Sequence, residues 1–129
     1  MSDKTVMIVE DDFLHMKLFN DILKNQGYRT LRANNGEDAL EMAREQHPDL
    51  ILLDIRLPVK SGFEVVRELK GEMVLKDIPV IAVTASADYQ DRDEYLSEGF
   101  DGFLSKPIAI PNMLKAIADF MRIEPYLVH

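Results

Sequence analysis

The chain has 129 residues, which suits one domain and leaves little room for a second. Its 15 Lys+Arg stand against 23 Asp+Glu, a net charge of −8 that argues against a nucleic-acid binder and disfavours docking on an anionic membrane. An apolar fraction of 47% supports a real core, and the absence of cysteine removes disulfides, thiolate metal sites and thiol nucleophiles.

Met1 to Thr5 and the four apolar residues after them are too short for a signal peptide. No run of ~18 apolar residues is present for a membrane span, so the expectation is a cytoplasmic protein. From there the chain alternates. Val6–Val9 is a four-residue apolar run, as expected of a strand buried on both faces of a parallel sheet. A helical segment follows, with Asp12 as its N-cap. Leu14, Leu18 and Ile22 fall at i, i+4 and i+8, with Phe19 and Leu23 beside them and Gly27 as the stop. Tyr28–Ala33 alternates apolar and polar, which suits a strand nearer an edge. Asn35 caps a second helix presenting Ala39, Leu40 and Ala43 and ending before Pro48.

Leu50–Leu53 is the second apolar run. Ser61-Gly62-Phe63-Glu64 has capping-box spacing, and Phe63, Val66 and Leu69 form the stripe of a third helix. Val80–Val83 is the third run, and Tyr89–Glu98 is a polar helix closed by Gly99. Gly102–Ser105 is a short fifth strand. Pro111 suits the first turn of a last helix burying Met113, Leu114, Ile117, Ala118 and Met121. The pattern is βα five times, an α/β doubly wound sandwich with right-handed crossovers.

The polar residues fall where each buried strand ends. Glu10, Asp11 and Asp12 follow Val9; Asp54 follows Leu53; Thr84 follows Val83; Lys106-Pro107 follows the fifth strand. In an open α/β sheet these ends share one crevice. Carboxylates packed there repel, and a hard divalent cation such as Mg²⁺ relieves them. A carboxylate is also a nucleophile toward phosphorus. A transferred phosphoryl group needs its oxygens neutralised, which Mg²⁺, Lys106 and a Thr84 hydroxyl could do together. An FMN site would need a Ser/Thr/Gly-rich loop where Glu10-Asp11-Asp12 stand. The glycine patterns of a P-loop or a dinucleotide site do not occur.

The motifs Ile8-Val9-Glu10-Asp11-Asp12, Leu52-Leu53-Asp54-Ile55-Arg56-Leu57-Pro58 with Gly62, Val83-Thr84-Ala85 and Lys106-Pro107 resemble the receiver domain of bacterial two-component response regulators, the CheY-like family. The resemblance runs from Thr5 to Ile123, so residues 1–123 are expected to form the receiver domain and 124–129 a tail, disordered or a docking peptide. Within the family, the stretch from Met16 to Glu45 and the lack of an output domain are similar to the stand-alone cell-cycle regulators.

The resemblance implies a five-stranded parallel sheet of order 2-1-3-4-5 with flavodoxin-like topology. It implies that Asp54 is the phosphoacceptor, and that Asp11, Glu10, Asp54 and the Arg56 carbonyl hold Mg²⁺. Thr84 and Lys106 would contact the phosphoryl group, Thr84 and Phe103 would form the switch, and Arg56 and Ser86 would tune phosphoryl lifetime. Phe103 stands where the family often has Tyr, so hydrogen-bonded readout by that ring is in doubt. Implied partners are a sensor histidine kinase or histidine phosphotransfer protein and a downstream protein. Donor docking is expected through Leu14, His15, Pro107 and Ile108, and output through Tyr89, Arg92, Tyr95 and Phe103. His15 has a second reading, as a metal ligand or proton carrier. The methionines, Met73 included, read as packing.

Signalling would run by phosphorylation-dependent contact or onward phosphotransfer, without turnover of an external substrate beyond slow self-dephosphorylation. Two alternatives remain. One is an adaptor that binds a kinase allosterically. The other, a metal-dependent phosphohydrolase, is weakened by Arg56, where such enzymes place an acid.

Overall fold

The computed structural model describes residues 3–85 and 89–121, with only the backbone for residues 89–91. Ser86, the Tyr89 side chain and the 124–129 tail lie outside what is described. Five strands, β1 (Thr5–Val9), β2 (Arg29–Ala33), β3 (Leu50–Asp54), β4 (Val80–Thr84) and β5 (Gly102–Ser105), alternate with five helices. These are α1 (Phe13–Asn25), α2 (Gly36–Gln46), α3 (Gly62–Gly71), α4 (Tyr89–Glu98) and α5 (Ile110–Phe120). The strands form one parallel sheet of order β2-β1-β3-β4-β5, as expected.

The two-residue period of a strand sends alternate side chains to opposite faces, and each face has its own core. Met7, Val9, Ile51, Leu53, Val80 and Ala82 pack with Leu40, Val65, Val66, Leu69 and Phe100 on the α2–α4 side. Val6, Ile8, Leu50, Leu52, Ile81 and Val83 pack with Phe19, Leu23, Met113 and Ile117 on the α1/α5 side. Every residue of β3 and β4 is buried, which is why they read as continuous apolar runs. β2 lies at an edge, and of its residues only Ala33 is buried.

The expected caps are in place. The Asp12 carboxylate accepts the His15 N–H at 3.0 Å, Asn35 accepts from Asp38 at 2.9 Å, and the Ser61 hydroxyl accepts from Glu64 at 3.3 Å. Gly27 (φ 91°) and Gly99 (φ 115°) follow α1 and α4 in the left-handed region.

The structure settles which face of α1 is buried and corrects one packing assignment. Leu14 and Leu18 are 73% and 49% exposed, so the buried face of α1 is carried by Phe19 and Leu23. Ile22, the third member of the i, i+4, i+8 row, packs on the α1/α5 core, whereas Phe13 extends the exposed apolar surface of Leu14 and Leu18. Met73 lies on the surface rather than in the packing, in the segment after α3.

Candidate functional site

Four strand ends build the site. β1 runs into Glu10 and Asp11, β3 ends on Asp54 and β4 on Thr84; β5 leads to Lys106. β1, β3 and β4 are adjacent, so their carboxyl ends converge. Glu10, Asp11 and Asp54 bring one carboxylate oxygen each to within 4.8 Å of one another. Glu10 and Asp54 are buried, whereas Asp11 is exposed at the lip. The Lys106 ammonium reaches Glu10 Oε1 at 3.3 Å and Asp54 Oδ2 at 3.4 Å. The Arg56 backbone N–H donates to Asp54 Oδ1 at 3.0 Å, and the Asp12 N–H to Glu10 Oε2 at 3.2 Å.

The loop between β3 and α3 depends on Gly62. A Cβ there would lie 2.7 Å from the Asp54 carbonyl oxygen and 2.7 Å from Ile55 Cα. The Gly62 N–H donates to the Ile55 carbonyl at 2.9 Å, which folds the loop back beneath Asp54. On the other side the Lys106 N–H donates to the Thr84 carbonyl at 2.7 Å, and the Lys106–Pro107 peptide is cis. A crevice of about 650 Å³ opens from Glu10 and Asp11 between α1 and α2, past Phe13, Met16, Arg32 and Met42.

The electrostatics are those of an acid cluster short of one cation. Burial, then hydrogen bonding to the Asp54 carboxyl, pushes the Glu10 carboxyl up from 4.5 to about 7. Partial burial disfavours the Lys106 ammonium, but the Glu10 and Asp54 carboxylates outweigh it and hold its pKa above the ordinary value. One lysine therefore does not neutralise the cluster. Three hard carboxylate oxygens around one point fit Mg²⁺, which favours oxygen ligands and keeps places for water and phosphate.

The remaining expected residues divide. Thr84 is buried, and its hydroxyl lies 3.1 Å from the Tyr95 hydroxyl. Tyr95, expected on the output surface, is instead 5% exposed, among Phe63, Phe100 and Phe103. α4 is polar along its length, and nothing in its periodicity separates Tyr95 from its neighbours. Phe103 is half-buried, with the Arg92 guanidinium 5.2 Å from its ring centre. Leu14 and Pro107 are exposed, and Ile108 leans on the α1/α5 core. His15 is 45% exposed in its side chain and stacks on Phe19, its Nδ1 3.9 Å from Glu10 Oε1 and from Asp12 Oδ1.

A parallel sheet of this order, with an acid cluster, a threonine and a lysine at its carboxyl edge, is the arrangement that the sequence motifs anticipate. Residues 6–118 match the response regulator receiver domain, and the chain belongs to that family. It is 48% identical over 118 residues to the polar-differentiation response regulator DivK of Brucella ovis, covering 92% of this chain and 96% of that protein. DivK of Brucella anthropi matches at the same identity and coverage.

Among solved structures, the receiver domain of the sensor histidine kinase PA1611 from Pseudomonas aeruginosa superposes with a TM-score of 0.85 at 29% identity, covering 93% of this chain and 98% of that one. That structure has a magnesium ion coordinated in its active-site cleft. The chemotaxis response regulator CheY4 of Vibrio cholerae superposes with a TM-score of 0.87 at 26% identity, covering 92% and 99%. No helix among the described residues is long and apolar enough to cross a membrane.

Proposed function

We propose that this chain is a cytoplasmic response regulator that takes a phosphoryl group from a histidine kinase or histidine phosphotransfer protein onto Asp54, with Mg²⁺. The supporting observation is the meeting of Glu10, Asp11 and Asp54 within 4.8 Å beside the Lys106 ammonium. Asp54 is the acceptor because it is the acid at the end of the central strand, with one oxygen toward Lys106 and the other on the Arg56 N–H. Asp11, Glu10, Asp54 and the Arg56 carbonyl would hold the cation. When bound, it neutralises the acids and draws charge from a phosphoryl oxygen.

An Asp54 carboxylate oxygen forms the new P–O bond as the P–N bond to the donor imidazole breaks, its electron pair leaving with the imidazole. Lys106 turns from Asp54 to a phosphoryl oxygen, and Thr84 donates to another. The phosphorylated state then draws Thr84 inward, Phe103 follows, and the α4–β5–α5 face changes its affinity for a partner. Arg92 lies on that face; donor docking uses Leu14, His15, Pro107 and Ile108. The signal leaves by protein contact or by onward phosphotransfer, in a pathway related to that of the polar-differentiation regulators it resembles. Arg56 and Ser86 tune how long the phosphoryl group lasts.

Acetyl phosphate with Mg²⁺ tests this directly. Intact-mass spectrometry should show one phosphoryl adduct on the wild type and none on Asp54→Ala. An equal adduct on both would remove the acceptor assignment. Asp11→Asn should lose Mg²⁺ affinity in titration; unchanged affinity would remove Asp11 from the metal site.

A further inference from the structure

A hydrogen-bonding hydroxyl is missing from the β5 aromatic, and one is present on the neighbouring helix. Phe103 carries only a ring. Tyr95, eight residues earlier on α4, puts its hydroxyl 3.1 Å from Thr84 Oγ1 at a buried site. Its ring is fixed from three sides, with centroids 6.0 Å from Phe63, 6.3 Å from Phe100 and 5.9 Å from Phe103. The hydroxyl therefore has little freedom to leave Thr84 unless α4 or Phe103 moves with it.

Thr84 stands one residue past Val83, which pairs in register with Asp54. Either hydroxyl of the Thr84–Tyr95 pair can be the donor; where Thr84 donates, its single proton is the one that a phosphoryl group on Asp54, at the end of the neighbouring strand, would take. We propose that Tyr95 is the positioning residue of the switch. It holds the Thr84 hydroxyl in the unphosphorylated arrangement and loses it when a phosphoryl oxygen becomes the acceptor. The exchange runs forward because a hydrogen bond to an ionised oxygen is roughly twice as strong as one between neutral hydroxyls. Release of Tyr95 reports the event to α4, while Phe103 supplies the moving bulk. The inference rests on Asp54 as the phosphoacceptor.

The test is a double-mutant cycle on the full chain, reading the rate of phosphoryl uptake from acetyl phosphate with Mg²⁺ by intact mass. Tyr95→Phe removes one oxygen and keeps the ring, so the aromatic packing survives. It should speed uptake by about two- to tenfold, the worth of one neutral hydrogen bond in the resting state. In the Thr84→Val background the same change should leave the rate unaltered. A merely structural tyrosine would give equal effects in both backgrounds, which overturns the proposal, as does an unchanged or slower rate in Tyr95→Phe alone. Uptake by the wild type that Asp54→Ala reproduces would instead overturn the acceptor assignment on which the cycle stands. Circular dichroism melts of the four proteins confirm that each rate belongs to a folded chain.

Discussion

Glu10 is 2% exposed and has five charged or titratable neighbours: Asp54 and Lys106 from β3 and the β5 edge, Asp11 and Asp12 beside it, and His15 from α1. Its carboxyl, raised from 4.5 to about 7, keeps in the folded chain a proton that the unfolded chain has already released. The native state therefore binds more protons across that interval, and this contribution to stability falls as pH rises from 4.5 to about 7, then levels. Thermal melts in EDTA should show that decline, and Glu10→Gln should flatten it. Mg²⁺ bound at Glu10 as proposed would displace the proton, so its stabilising effect should grow over the same interval. A decline of the same slope in Glu10→Gln would contradict the assignment.

Val59 makes a residue-scale prediction of another kind. It is fully exposed and has φ 66°, so a β-branched residue occupies the left-handed region with no burial to offset the strain. Such backbone costs roughly 1–2 kcal/mol, and Asn tolerates it better. Val59→Asn should stabilise the chain by about 0.5–1 kcal/mol, measured as a higher urea midpoint at unchanged m.

The segment between β3 and α3 shows how one small residue shapes an element junction. In Gly62→Ala the new methyl must displace the Asp54 carbonyl and Ile55 backbone, 2.7 Å from its position, rather than a yielding side chain. Overpacking of this kind costs ~1–3 kcal/mol, and here it also moves the acceptor strand. Gly62→Ala should therefore lower the urea midpoint and slow phosphoryl uptake together. Normal uptake at a lowered midpoint would show the strain relaxing away from Asp54.

The elements themselves were legible in the chain because the signals agree. Buried parallel strands give four-residue apolar runs, and Asp12, Asn35 and Ser61 mark the helix starts. Along α1, Leu14, Leu18 and Ile22 and the pair Phe19 and Leu23 make adjacent stripes of similar apolarity, so periodicity alone does not choose the buried one. Packing against α5 and the sheet buries Phe19 and Leu23, takes in Ile22 at its margin and leaves Leu14 and Leu18 outside. Tyr95 was illegible for the converse reason. A polar helix has no stripe to interrupt, and its burial comes from Phe63, Phe100 and Phe103 meeting from three other parts of the chain.

At the scale of the whole molecule, the site was legible because topology does the gathering. A parallel sheet sends every carboxyl end to one edge, so acids after β1 and β3 must meet once the strand order is known. What no spacing reveals is the size of the gap they leave, or that a single lysine lies 3.3 Å and 3.4 Å from two of them. The exposed apolar strip Phe13, Leu14 and Leu18 on α1 begins at the mouth of the same crevice. A protein donor docked as proposed would cover that strip, whereas acetyl phosphate need not. Leu14→Asp should leave acetyl phosphate uptake at the wild-type rate and slow transfer from a phosphorylated histidine phosphotransfer protein by roughly tenfold. Equal rates from the protein donor would place docking elsewhere.

The separation of Tyr95 from Phe103 has a consequence for how such a chain can change over generations. A tyrosine on the last strand couples bulk and hydrogen bonding in one codon, so neither can drift without the other. Here they occupy α4 and β5, with rings 5.9 Å apart. Substitution at 103 adjusts the steric half of the response, and substitution at 95 adjusts the polar half. Selection thus has two dials where the single-residue arrangement offers one, and comparison of aligned columns at 103 alone sees only the first.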